Sequence, residues 1–125
     1  MKRVLVLEDK SAIVHLCGRI LCGKVLGGPS LTMFAAYTVA AALRQIRRRP
    51  PDLLVCDIDL PDGSGLDVAR EFLRARPGAP VIVMTGSDER ANEEAAAKLG
   101  VRAYFPKPFD VGRFRAAALE ALGKC

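Results

Sequence analysis

Along the chain, short apolar runs rich in β-branched residues alternate with segments whose apolar residues recur at helical spacing. Arg3 to Leu7 predicts a buried strand that ends at two acids, Glu8 and Asp9. From Ser11 to about Cys22 the apolar residues Ile13, Leu16, Cys17 and Ile20 share one helical face. Gly27-Gly28-Pro29 interrupts the chain, and Leu31 to Ala35 predicts a second, weaker strand. Thr38 is placed to cap a helix running through Ala40, Leu43 and Ile46, which stops before Pro50-Pro51. Leu53 to Cys56 predicts a third strand that delivers Asp57 at its carboxyl end, and Pro61 to Gly65 reads as a loop. Leu66 to Ala75 is helical and Pro80 to Met84 predicts a fourth strand. Ser87 is expected to cap the next helix, with Asp88 and Glu89 in its first turn and Lys98-Leu99-Gly100 at its end. Val101 to Phe105 predicts a fifth strand, and Asp110 opens a last helix that runs to about Leu122.

Five strand–helix alternations with short connections predict an α/β chain built as a doubly wound parallel sheet. Five strands in the order 2-1-3-4-5 and five helices would make three layers, α/β/α, with residues 1–125 as one domain. The length of 125 residues suits a single core. No internal repeat or linker divides it. In such sheets ligands bind beyond the carboxyl ends of the strands.

Composition narrows the class. Half the residues are hydrophobic and 26% are charged, which excludes disorder and a disulfide-dense miniprotein. No apolar run approaches the roughly 18 residues of a membrane span. The apolar stretch Val4 to Leu7 is too short for a signal-peptide core, so a cytoplasmic location without a membrane partner is expected. Cys17, Cys22, Cys56 and Cys125 show neither a C-x-x-C pair nor a histidine cluster, which speaks against zinc; the first three are expected to be buried free thiols. The net charge of +5 raises the question of a nucleic-acid partner. However, Arg44, Arg47, Arg48 and Arg49 fall at the end of the second predicted helix, where cations complement the helix dipole. With no aromatic-studded basic groove in view, no direct nucleic-acid binding is expected. His15, the only histidine, reads as a partly exposed helix residue.

The chemistry gathers at the strand ends. Strand one ends in Glu8-Asp9, strand three in Asp57, strand four in Thr85, and strand five runs out just before Lys107. In the order 2-1-3-4-5 these groups converge. Clustered carboxylates repel one another, and each pKa rises unless a cation intervenes. A hard divalent ion with oxygen ligands relieves this, and Mg²⁺ is the expected cofactor. The set suits phosphoryl transfer: Asp57 as a carboxylate nucleophile, Mg²⁺ on the incoming phosphoryl oxygens, and Thr85 and Lys107 on the others.

The order Glu8-Asp9, then Asp57 with Pro61 and Gly65 behind it, then Met84-Thr85-Gly86, then Lys107-Pro108-Phe109, resembles the receiver domain of two-component response regulators. The likeness spans essentially the whole chain. It implies a flavodoxin-like, chemotaxis-type fold and a phosphoprotein that takes a phosphoryl group onto Asp57 from a phosphohistidine. The donor would be a sensor histidine kinase or a phosphotransfer protein. Glu8, Asp9, Asp57 and the backbone carbonyl of Asp59 would hold Mg²⁺, while Thr85 and Lys107 would bind the phosphoryl group. Tyr104 matches the switch aromatic, which turns inward with Thr85, and the Lys107–Pro108 peptide is expected to be cis. Phosphorylation would then switch the surface of helix 4, strand 5 and helix 5, which family members use to dimerise or to dock an output partner. Such a chain assists its own phosphorylation and dephosphorylation without being a turnover enzyme.

Two departures stand out. Glu8 occupies a place where Asp is frequent, and Asp59 adds a carboxylate near the pocket, expected to modulate dephosphorylation. Asp62 is expected close behind the pocket. The enzymatic alternative is a haloacid-dehalogenase-like phosphatase using Asp57 and Asp59, because Asp57-Ile58-Asp59 is a D-x-D at a strand end; it lacks the acidic pair expected after the lysine. Gly63-x-Gly65 carries Val68 where a dinucleotide fingerprint needs its third glycine. No output module is expected within 1–125, so the chain acts alone or belongs to a longer regulator.

Overall fold

A computed structural model describes residues 2–21, 31–86, 89–108 and 110–123. Its elements are β1 (Lys2–Leu7), α1 (Ser11–Leu21), β2 (Leu31–Ala36), α2 (Val39–Arg48), β3 (Leu53–Asp57), β4 (Asp59–Leu60), β5 (Gly63–Ser64), α3 (Gly65–Ala75), β6 (Val81–Thr85), α4 (Arg90–Leu99), β7 (Ala103–Pro106) and α5 (Val111–Ala121). The five longer strands form one sheet in the order β2-β1-β3-β6-β7, and every pairing in it is parallel. Counted in chain order those strands run 2-1-3-4-5, the doubly wound arrangement expected from the sequence.

The period of two along each strand decides which helices pack where. Val4 and Val6 of β1 face a core shared with Cys17, Ile20 and Leu21 of α1 and with Phe114 and Ala118 of α5. Leu5 and Leu7 face the other way, onto Ala42 and Ile46 of α2, Val68, Ala69 and Phe72 of α3, and Ala96 of α4. The central strands are buried on both faces, which explains why β3 and β6 read as unbroken apolar runs. Cys17 and Cys56 are buried free thiols on opposite faces of the sheet. Burial pushes both up to about 12, so neither supplies a thiolate. Cys22 and Cys125 lie outside the described residues.

Several element ends depart from the sequence reading, each for a physical reason. Thr38 caps α2 as expected, accepting from the Ala41 amide at 3.1 Å, and Asp110 caps α5 through the Arg113 amide at 3.0 Å. The expected cap of α4, Ser87, lies outside the described residues with Asp88, and α4 begins at Arg90 with Glu89 at its boundary rather than in its first turn. The fifth long strand starts at Ala103 instead of Val101, because the Val101 amide closes the end of α4 on the Ala96 carbonyl, after Gly100 turns left-handed at φ 83°. The stretch read as loop contains a two-residue antiparallel hairpin, Asp59–Leu60 against Gly63–Ser64. Ser64 then caps α3, which starts one residue early, at Gly65.

Candidate functional site

Four of the five long strands deliver the site. Glu8 continues β1, its amide donating to the Ala36 carbonyl of β2 at 3.0 Å, and it is fully buried. Asp57 closes β3 and is 4% exposed; Thr85 closes β6 and is fully buried. Lys107 follows β7, and its amide donates to the Thr85 carbonyl at 2.7 Å, which fixes where its side chain starts. The Lys107–Pro108 bond is cis, as expected.

The side chains converge as the strand order requires. Carboxylate oxygens of Glu8, Asp9 and Asp57 all lie within 4.8 Å of one another, with Asp9 exposed at the rim. The Lys107 ammonium donates to Glu8 Oε2 at 2.5 Å and to Asp57 Oδ2 at 3.0 Å. The other Asp57 oxygen, Oδ1, accepts from the Asp59 amide at 3.2 Å. One ammonium thus faces three carboxylates, which leaves a surplus of negative charge around a buried centre. Burial pushes the Glu8 carboxyl above its ordinary range, and the Asp57 charge adds to this, while the hydrogen bonds from Lys107 and the Lys10 amide offset only part of it. For Lys107 burial acts downward, but its hydrogen bonds to Glu8 and Asp57 and their charges outweigh it, so its pKa is raised and it stays an ammonium. Such a set of hard oxygen donors, gathered within 4.8 Å, fits a divalent ion that keeps water ligands.

The residues singled out from the sequence therefore divide. Glu8, Asp9, Asp57 and Lys107 form one cluster, and Thr85 is joined to it through the backbone, its carbonyl accepting from the Lys107 amide. Asp59 follows Asp57 closely but its side chain is exposed, and it is the Asp59 amide that meets the cluster. Tyr104 sits on β7, half-buried against the α2–α3–α4 core, and burial raises its phenol pKa, with Glu93, Asp59 and Glu89 adding to the rise.

Asp62, expected close behind the pocket, gives its carboxylate to the first amides of α2, Val39 at 2.8 Å and Ala40 at 3.1 Å. Those bonds hold its carboxyl below the usual range. Sequence reading also missed how tightly Gly65 sits against the site. A Cβ there would lie 1.7 Å from the Asp57 carbonyl oxygen. The signal was present in the Gly-x-Gly spacing, but its meaning depends on the backbone that passes behind it.

Residues 4–119 match the model of the response regulator receiver domain. The chain is 35% identical over 122 residues to the KDP operon transcriptional regulatory protein KdpE of Escherichia coli K12, covering 98% of this chain and 52% of that protein. It is 42% identical over 85 residues to the photosynthetic apparatus regulatory protein RegA of Rhodovulum sulfidophilum, covering 68% of this chain and 46% of that one. The chain thus spans about half the length of these curated relatives. A CheY-like receiver domain protein from Methanospirillum hungatei superposes with a TM-score of 0.84 at 28% identity, over 99% of this chain and 95% of that one. None of these matches supports the phosphatase alternative built on Asp57 and Asp59. Among the described residues, no helix is long and apolar enough to cross a membrane.

Proposed function

The chain belongs to the response regulator receiver domain family, and we propose that it is one receiver domain over residues 1–125 that accepts a phosphoryl group on Asp57 in the cytoplasm. The observation that carries this is the cluster itself: a nearly buried carboxylate on a strand end, held by an ammonium at 3.0 Å and flanked by two further acids within 4.8 Å. The donor would be a phosphohistidine on a sensor kinase or a phosphotransfer protein. Glu8, Asp9, Asp57 and the Asp59 carbonyl would hold Mg²⁺, which supplies charge neutralisation on the transferring group.

This chain's residues do the rest. Lys107 orients the Asp57 oxygen and stands ready to bind a phosphoryl oxygen in its place. The Asp59 amide fixes Oδ1, leaving the carboxylate in one rotamer for in-line attack. Thr85 would bind a second phosphoryl oxygen, and Tyr104 would follow it. The resulting change would reach α4, β7 and α5, where Val101, Arg102 and Ala103 form a surface for a second copy or an output partner. The protein assists its own phosphorylation and dephosphorylation and turns over no separate substrate.

Incubation with Mg²⁺ and acetyl phosphate should add the mass of one phosphoryl group. Asp57→Asn should add none, and chelation of Mg²⁺ should suppress labelling of the wild type. Labelling that persists in Asp57→Asn would place the acceptor elsewhere. The exposed Asp59 carboxylate would act on the water that hydrolyses the acyl phosphate, so Asp59→Ala should change the phosphoryl lifetime several-fold; an unchanged lifetime removes that role.

A further inference from the structure

A second charged feature lies toward the opposite end of the sheet. A cavity of about 470 Å³ opens between α2 and the start of β1, lined by Arg3, Phe34, Gln45, Arg48 and Arg49. The arginines at the end of α2 read from sequence as partners of the helix dipole, yet they do different things. Arg47 leaves the group and binds Glu71 of α3 through two nitrogens, at 2.9 and 3.0 Å. Arg48 and Arg49 line the cavity and are exposed, and among the described residues neither guanidinium has a hydrogen-bond or ion-pair partner. Arg3 joins them from β1, its guanidinium carbon 4.7 Å from the centroid of the Phe34 ring. A basic groove with an aromatic ring in its lining therefore exists, made of residues from three elements and hidden from a reading of local sequence.

The helix end works against an anion here, and magnitudes decide whether it matters. The carboxyl end of a helix carries roughly half a negative charge. Part of that field is already met: the Arg49 amide closes on the Gln45 carbonyl, and just past the helix Arg3 Nη1 reaches the Arg49 and Pro50 carbonyls at 2.9 and 3.2 Å. Asp52 is tied to this corner by the Arg3 amide at 2.7 Å, but Arg76 matches its charge at 3.3 Å. Three guanidinium groups then face a small residual negative field, and the cavity stays strongly cationic. The volume falls within the roughly 300–1,000 Å³ of small-molecule sites, larger than a bare phosphate needs. Guanidinium forks match a phosphate dianion in shape as well as charge.

We propose that this cavity binds a small organic phosphate carrying a terminal phosphomonoester, gripped by Arg48 and Arg49 and backed by Arg3 stacked on Phe34. The site is separate from Asp57 and does not depend on the phosphoacceptor reading. The probes are AMP, inorganic phosphate and adenosine, titrated into the full chain while backbone amide resonances are followed. AMP should give saturable shifts at Arg3, Phe34, Gln45, Arg48 and Arg49. Inorganic phosphate should compete with it, and adenosine should not bind. The double variant Arg48→Ala/Arg49→Ala, at two exposed positions, should weaken AMP at least about tenfold while still being labelled by acetyl phosphate. Four results would each overturn the proposal: no saturable shift at millimolar AMP, shifts confined to the neighbourhood of Asp57, equal binding by the double variant, or equal binding of adenosine. So would an oligonucleotide without terminal phosphate that binds these residues where AMP does not.

Discussion

Gly65→Ala should unfold the site from behind and cost the domain much of its stability. A Cβ at position 65 would lie 1.7 Å from the Asp57 carbonyl oxygen and 2.9 Å from its carbonyl carbon, whereas real Cβ contacts essentially never fall below 3.0 Å. The obstacle is backbone, so no side-chain rotation relieves it. Either β3 or the first turn of α3 must move by more than an ångström. That first turn is pinned by the Gly65 amide on the Ile58 carbonyl at 2.9 Å and by the Ser64 cap, and α3 carries buried Leu66, Val68, Ala69 and Phe72. Overpacking usually costs about 1–3 kcal/mol, and a clash with fixed backbone belongs at the upper end or beyond. Because the displaced atom belongs to Asp57, the proposed phosphoacceptor, an ångström of misplacement should also slow labelling by acetyl phosphate by roughly 100-fold. Gly86→Ala is the control: it follows Thr85, yet a Cβ there meets nothing within 4 Å, so its melting temperature should match the wild type. A Gly65→Ala protein that melts and labels like the wild type would show that the backbone yields easily at this point.

Gly65 also shows where sequence reading reaches its limit. Strand ends were legible because apolar runs stop at polar residues, and that alone located Glu8, Asp9, Asp57, Thr85 and Lys107. Their convergence followed from strand order, which the βα alternation implies. What stayed hidden depends on contacts between distant segments. The Asp62 carboxylate binds amides at Val39 and Ala40, more than twenty residues earlier, and no local pattern marks it as a second acceptor at the start of α2, beside the Thr38 cap. The Asp59–Ser64 hairpin offers two residues per strand, too few for any periodicity to register. The late start of β7 is settled by one amide, that of Val101, which the end of α4 claims first. Arg3 and Phe34 turn a basic helix end into a cavity only because β1 and β2 pair beside it.

Lys107→Met should make stability depend more steeply on both Mg²⁺ and pH. The substitution keeps most of the apolar stem and removes the ammonium that bridges Glu8 and Asp57 at 2.5 and 3.0 Å. Glu8 is fully buried and Asp57 nearly so, and both lose their counter-charge while remaining within 4.8 Å of Asp9. Breaking a buried ion pair from one side costs about 3–5 kcal/mol. Access for water past the exposed Asp9 should hold the loss to roughly 2–3 kcal/mol, on the order of 10 °C in Tm for a domain of this size. The sign with pH follows from Glu8, whose carboxyl already lies above its ordinary value through burial and the Asp57 charge. A folded-state pKa above the unfolded one means that the native state holds the extra proton, so stability falls as pH rises through that interval. Removing Lys107 takes away an influence that lowers Glu8, which widens the interval and deepens the fall. The variant should therefore lie nearest the wild type at acidic pH and furthest from it at alkaline pH in the presence of EDTA. Mg²⁺ should restore much of the difference, since a divalent ion replaces the lost charge at the same oxygens. A penalty that is the same at pH 5 and pH 8 and indifferent to Mg²⁺ would mean that Lys107 stabilises the domain by packing its stem, and that the cluster does not hold a cation.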